Sequence, residues 1–125
     1  MPLLFLPVHI GPRTHYALLD SGASDSFISA EVVKQSPLRL LPLKTPVKVR
    51  VANGNMILVS HFVRVTVVIG TLKTRLFLMV ISTPLPIVLG YLFLFFLNPH
   101  INWKERKITI TVGNREHTVP VTQAK

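Results

Sequence analysis

Five carboxylates are spread over 125 residues: Asp20, Asp25, Glu31, Glu105 and Glu116. Asp20 stands apart by its setting. It ends the apolar run Ala17-Leu18-Leu19 and is followed by Ser21-Gly22-Ala23-Ser24. A short apolar run reads as a buried strand, and Asp-Ser-Gly as the turn that ends it. A carboxylate carried there loses hydration, which penalises its charged form and suits it to holding or passing a proton. Gly22 lets the backbone turn tightly and approach another chain or a substrate. Asp, Ser and Gly are also the residues of plain turns, so the tripeptide alone decides nothing.

Other chemistries find less support. There is no cysteine, which excludes a disulfide framework and a thiolate metal site. His9 and His15 fall on one predicted hairpin, but no third ligand of the right kind is near, so they read as surface histidines rather than metal ligands. Fourteen Lys and Arg against five acids give a net charge of +9. A balance of that size invites nucleic acid or an anionic membrane surface. The cations are scattered, however, and the one local cluster, Lys104, Arg106 and Lys107, has no interleaved aromatic residues to stack bases. The charge therefore reads as a solvated surface rather than a nucleic-acid footprint.

The elements that must position Asp20 are mostly strands. Leu3 to Ile10 and His15 to Leu19 form a hairpin around Gly11-Pro12-Arg13. Phe27 to Val33 follows, with Ser26 or Ser29 available to cap a short helical turn. Pro37, Pro42 and Pro46 break the next stretch into extended pieces. Val47 to Val51 alternates apolar and basic residues, Asn53-Gly54 is a hairpin signal of type I′, and Met56 to Val59 returns. Strands are expected over Phe62 to Ile69, Arg75 to Ile81, Lys107 to Val112 and Glu116 to Val121. Ile101 to Trp103 is expected to be extended. Tyr91 to Leu97 is expected as one short helix ended by Asn98-Pro99. The expectation is one all-β domain over residues 1–125. The apolar N-terminus is too short and too proline-marked for a signal peptide, and Leu85 to Leu97 is broken by Pro86 and Gly90, short of a membrane span. A soluble chain is expected, with no compartment marked beyond the cytoplasm.

A second motif gives Asp20 its meaning. Ile87-Val88-Leu89-Gly90 is followed by Tyr91-Leu92-Phe93-Leu94 and by Asn98-Pro99-His100-Ile101-Asn102-Trp103. Together with Asp20-Ser21-Gly22-Ala23, this order resembles the retroviral and Ty3/gypsy retrotransposon aspartic proteases, the retropepsins, and their domesticated relatives. The resemblance covers about Val8 to Val121. It departs at two linked positions. Many viral relatives carry an Arg where Tyr91 stands, paired with an acid where Ser24 stands. Both partners are absent together, which avoids an unpaired buried charge. Asn102 replaces an Asp, and Phe95, Phe96 and Leu97 replace polar residues, leaving a helix that is apolar all round and must be covered by something.

The resemblance implies a closed or pseudo-barrel β domain with one short C-terminal helix, active as a C2 homodimer. It implies an aspartic endopeptidase that cuts an extended apolar segment, such as a polyprotein site, with Asp20 from each of two chains as the dyad. Asp20, Ser21 and Gly22 would be catalytic, and no metal or organic cofactor is implied. Ala23, Asp25, Val51, Ala52, Asn53, Gly54, Asn55, Ile87 and Val88 would bind substrate, the Asn53-Gly54 hairpin acting as a flap. Asp25 reads equally well as a helix-start or surface acid. The competing reading is an inactive aspartic-protease fold kept as a dimerisation or binding module. A nucleic-acid-binding β-barrel and a membrane-surface module using Phe93, Phe95 and Phe96 are further alternatives.

Overall fold

The computed structural model describes residues 3–51 and 54–124. Among the described residues there are eleven strands, arranged in two sheets, and two short helices. β1 (Leu3–Ile10) and β2 (Arg13–Leu19) form the first hairpin, and β1 alternates between buried and less buried residues as a half-buried strand must. β3 (Phe27–Ser29) runs straight into α1 (Ala30–Gln35). Of the two serines that could cap it, Ser29 does so: its hydroxyl accepts from the N–H groups of Glu31 and Val32 at 3.1 and 3.3 Å. α1 is a full second helix, where the sequence suggested only a helical turn beside a single C-terminal helix.

β4 (Leu41–Arg50) is longer than its alternating half, and it contains both Pro42 and Pro46. It is tolerated because β4 is an edge strand, pairing only with β5, and because the register shifts between Pro42 and Val47. β5 (Met56–Ile69) is one continuous strand of 14 residues, not two. The polar Ser60-His61 pair interrupts the composition but not the pleat: Val59, Val63, Val65, Val67 and Ile69 all face inward. Between β4 and β5 the loop is longer than a two-residue I′ turn. Val51 C=O accepts from Gly54 N–H at 2.9 Å and Val51 N–H donates to Asn55 C=O at 3.0 Å, with Gly54 at a φ of 87°. Ala52 and Asn53 lie outside the described residues.

β6 (Leu72–Ile81), β7 (Ile87–Leu89), α2 (Tyr91–Leu97), β8 (His100–Asn102), β9 (Lys107–Val112), β10 (Arg115–Pro120) and β11 (Thr122–Ala124) complete the chain. The large sheet has the order β11-β1-β2-β7-β3-β6-β5-β4, and a further pairing of β1 with β5 at His9 and Val68 closes it into a barrel. β8, β9 and β10 form a separate antiparallel sheet. The main core is aliphatic, with Leu6, Val8, Ile28, Val63, Leu78, Ile87 and Leu89 among its fully buried members. A smaller cluster of Leu18, Ala23, Phe27, Val49, Val59, Met79 and Val88 lies under the acid loop and the β4–β5 hairpin.

α2 ends as its sequence requires, with Asn98 in the left-handed region (φ 43°) and its N–H on the carbonyl of Leu94. Phe93 is buried, whereas Phe95 and Phe96 are 61% and 75% exposed. Phe93 is thus a core residue and has no face to offer a membrane. Among the described residues no helix is long and apolar enough to cross one. On the first hairpin His9 meets Thr14, not His15: Thr14 Oγ1 lies 2.8 Å from His9 Nδ1. His15 pairs with Val8. Its ring is held below the ordinary imidazole range by burial and, to a lesser degree, by the nearby Arg13 guanidinium. Its Nε2 is buried without a partner. No group of three His, Asp or Glu able to hold a metal exists among the described residues.

Candidate active site

β2 delivers Asp20, and β7 runs parallel to β2 with Leu19 opposite Leu89. The two sequence motifs therefore leave the sheet side by side. A set of hydrogen bonds fixes the acid loop. Asp20 N–H donates to the carbonyl of Leu89 at 3.0 Å, and Tyr91 N–H to the carbonyl of Ala23 at 2.8 Å. Gly90 N–H donates to Ser26 Oγ at 3.0 Å. Inside the loop, Gly22 N–H donates to Asp20 Oδ1 at 2.9 Å, which orients the carboxylate. Each bond uses a backbone group that would otherwise be unpaired at a strand end.

Gly90 is required by close approach rather than by its dihedrals. Its φ of −90° suits any residue. A Cβ there would stand 2.8 Å from the carbonyl oxygen of Ala23 and press on that of Asp25. The two loops are in backbone contact, and only the missing side chain allows it. This contact takes the place of a charged pair between positions 24 and 91: Ser24 and Tyr91 are both exposed, and the link runs through the main chain.

The residues singled out from sequence divide into two groups. Asp20 is half-buried, and Ser21 and Gly22 are exposed at the tip of the loop. Asp25 is half-buried, with Oδ2 accepting from the Ser24 hydroxyl at 3.2 Å. It does not begin a helix, that place being taken by Ser29. Together with Ser21 and Gly22 it lines a cavity of about 630 Å³ whose other walls include Lys48, Arg50 and Tyr91. Gly54 and Asn55 are exposed in the hairpin loop, and Val51 is half-buried at its base. By contrast Ala23, Ile87 and Val88 are 1%, 0% and 5% exposed. Their side chains pack behind the loop in the two core clusters.

Ser26, by sequence only a capping candidate, ties the acid loop to two other elements. Its hydroxyl takes Gly90 N–H, and its carbonyl takes Met79 N–H at 3.0 Å. No sequence signal announces a hydrogen bond to a partner so far along the chain. Lys48 and Arg50, by sequence the solvated face of an alternating strand, share the cavity with the acid loop.

A closed β-barrel with an Asp-Ser-Gly loop clamped against an apolar-Gly loop and a following helix defines a retropepsin-like protease domain. The protein-family model of the PEG10/RTL1 protease domain, a retrotransposon-derived group, matches residues 16–118, and the chain belongs to that family. The chain is similar in fold to the crystal structure of the retroviral protease-like domain of Ddi1 from Leishmania major. That likeness has a TM-score of 0.70 and covers 98% of this chain and 95% of the other. At 17% identity it speaks for the fold alone. No curated protein matches the chain.

Proposed function

We propose that this chain is an aspartic endopeptidase that acts as a homodimer, with Asp20 of each copy forming the catalytic dyad. The observation that carries the reading is the clamp: a half-buried, oriented carboxylate held at the end of β2 by the Leu89–Tyr91 backbone. Such rigidity suits a group that must meet a substrate within tenths of an ångström.

One carboxylate cannot perform the hydrolysis alone. Two carboxyl groups in contact cannot both ionise cheaply, so the pair keeps one proton. The ionised member takes a proton from a water, whose oxygen attacks the peptide carbonyl carbon. The protonated member gives its proton to the carbonyl oxygen, forming a neutral tetrahedral intermediate. That intermediate collapses when its C–N bond breaks: the amine nitrogen accepts a proton from the protonated member, and the ionised member takes one from a hydroxyl of the intermediate, which leaves a carboxylic acid, an amine and a singly protonated dyad. The chain offers one Asp-Ser-Gly loop, and Asp25 is fixed within that same loop, so the second acid comes from a second copy. In that dimer Ser21 would hold the two loops in register, and Gly22 would keep the carboxylate aimed through its N–H. Val51, Ala52, Asn53, Gly54 and Asn55 would close over an extended peptide and bind its backbone as an added strand. Ile87 and Val88 would support the site from behind, with Ala23.

The test is cleavage of a peptide library between about pH 4 and 7, comparing the wild-type protein with Asp20→Asn and with pepstatin-treated protein. Cleavage should disappear in both. Cleavage that survives Asp20→Asn sinks the proposal. A folded dimer that cuts nothing moves the function to binding. Sedimentation that stays monomeric at high protein concentration removes the two-chain dyad.

A further inference from the structure

The cavity in front of the acid loop has an uneven charge. One side is Ser21, Gly22, Ser24 and Asp25; the facing side is Lys48 and Arg50 of β4 with Met56 of β5. Lys48 and Arg50 are alternate residues of one strand, and Val49 between them is 3% exposed and faces the core. Their side chains therefore leave the same face of the strand, roughly 6–7 Å apart along it. Both are exposed. The one ion pair among the described residues joins Lys107 to Glu105, so neither cation has a carboxylate partner. The acid within the cavity is Asp25, already engaged by the Ser24 hydroxyl. Two free cations thus share a cavity of about 630 Å³ with one occupied anion.

An extended peptide alternates its side chains with the same period as the strand it lies along. Cations two residues apart then meet substrate side chains two residues apart. We infer that this wall selects substrates by charge: Lys48 and Arg50 receive two carboxylates at alternate positions, a segment of the form Asp/Glu-x-Asp/Glu beside the apolar residues of the scissile region. Arg50 suits one of them especially, because a guanidinium grips a carboxylate through two parallel N–H···O bonds. The adjoining apolar surface of Met56, Tyr91 and Leu92 accommodates the uncharged part of the peptide. The inference rests on the proteolytic reading for the identity of this cavity as a substrate cleft. It goes further in naming the sequence class the cleft takes.

The experiment separates binding from catalysis. Fluorescein-labelled extended peptides are titrated into the Asp20→Asn protein, with anisotropy as the readout. One peptide carries Glu-x-Glu next to an apolar core, a second Gln-x-Gln, and a third two adjacent Glu residues at its far end. The first should bind about tenfold more tightly than the second, as two exposed charge pairs allow, and more tightly than the third. The preference should vanish in Lys48→Gln/Arg50→Gln and persist in Lys73→Gln/Arg115→Gln, which removes equal charge at exposed positions away from the cavity. In the active protein the same substitutions should raise KM for the Glu-x-Glu substrate and leave kcat close to its original value. Equal binding of the three peptides overturns the inference. So does a preference that survives Lys48→Gln/Arg50→Gln, which would assign it to the overall positive charge. Selective binding without cleavage by the wild-type protein would keep the acidic preference and defeat the proteolytic reading.

Discussion

Gly90→Ala tests the clamp directly. The added methyl carbon would sit 2.8 Å from the Ala23 carbonyl oxygen and still closer to that of Asp25. Both obstacles are backbone atoms, and neither can swing aside as a flexible side chain would. Overpacking of this kind costs about 1–3 kcal/mol, and rigid neighbours place it at the upper end. Separating the loops enough to relieve it stretches Tyr91 N–H from Ala23 and Gly90 N–H from Ser26, about 1 kcal/mol each. The expected destabilisation is about 3–5 kcal/mol, a large share of the roughly 5–15 kcal/mol typical of a domain. For a chain of this size that lowers the melting temperature by roughly 10–20 °C. Gly113→Ala is the comparison: no atom lies within 4 Å of its Cβ position, but its φ is 61°. It should cost only the left-handed strain, about 1–2 kcal/mol. Melting curves followed by circular dichroism at one fixed protein concentration measure both, since dimerisation would make the midpoint depend on concentration. If Gly90→Ala melts no lower than Gly113→Ala, the loops are not in enforced contact and the account of the site is wrong.

Ser26→Ala leaves Gly90 N–H without its acceptor and should cost about 1–3 kcal/mol in urea unfolding. Combined with Gly90→Ala it should add less than the sum of the two single effects, because both act on one clamp. Ser29→Ala removes the α1 cap and should cost about 1 kcal/mol. His15 should weaken the fold in acid. Its folded-state pKa is lowered from the ordinary 6.5, so its contribution is complete above that value and is lost as pH falls through the lowered one. His15→Leu should flatten the acid limb of a stability–pH profile and leave the neutral limb unharmed, since Nε2 has no partner to lose.

Much of this architecture is legible in the sequence where one rule acts alone. Leu3 to Ile10 alternates without interruption, and β1 occupies those residues. Tyr91 to Leu97 lies between a glycine and Asn98-Pro99, and α2 fills the interval. The sequence misleads where tertiary position overrides a local rule. Prolines at 42 and 46 argue against a strand, yet an edge strand has one row of N–H groups that pair with nothing. Ser60-His61 looks like a break, but a pleat depends on parity rather than on polarity, and the inward set continues on both sides. β11 pairs through only three residues with β1, too few to leave a pattern. At the site, Asp20 and Gly90 are recognisable because each sits in a motif with a fixed order of residue types. Ser26, Lys48 and Arg50 are not, because what distinguishes them is a partner or a facing wall supplied by a distant strand. The all-apolar helix shows both limits: its sequence does not say which phenylalanine turns inward, and packing selects Phe93.

The parallel pairing of β2 with β7 also sets an order in time. Asp20 follows β2 and leaves a ribosome ahead of Leu89, Gly90 and Tyr91, which emerge only after β3, α1, β4, β5 and β6. Contacts between distant segments form late, since a long loop must close before they gain anything. A nascent or truncated chain that stops short of Leu89 carries the complete acid loop without the Leu89–Tyr91 segment that clamps it. The acid loop is synthesised well ahead of the segment that clamps it, so anything that depends on the clamp waits until the sequence distance between two short loops has been bridged.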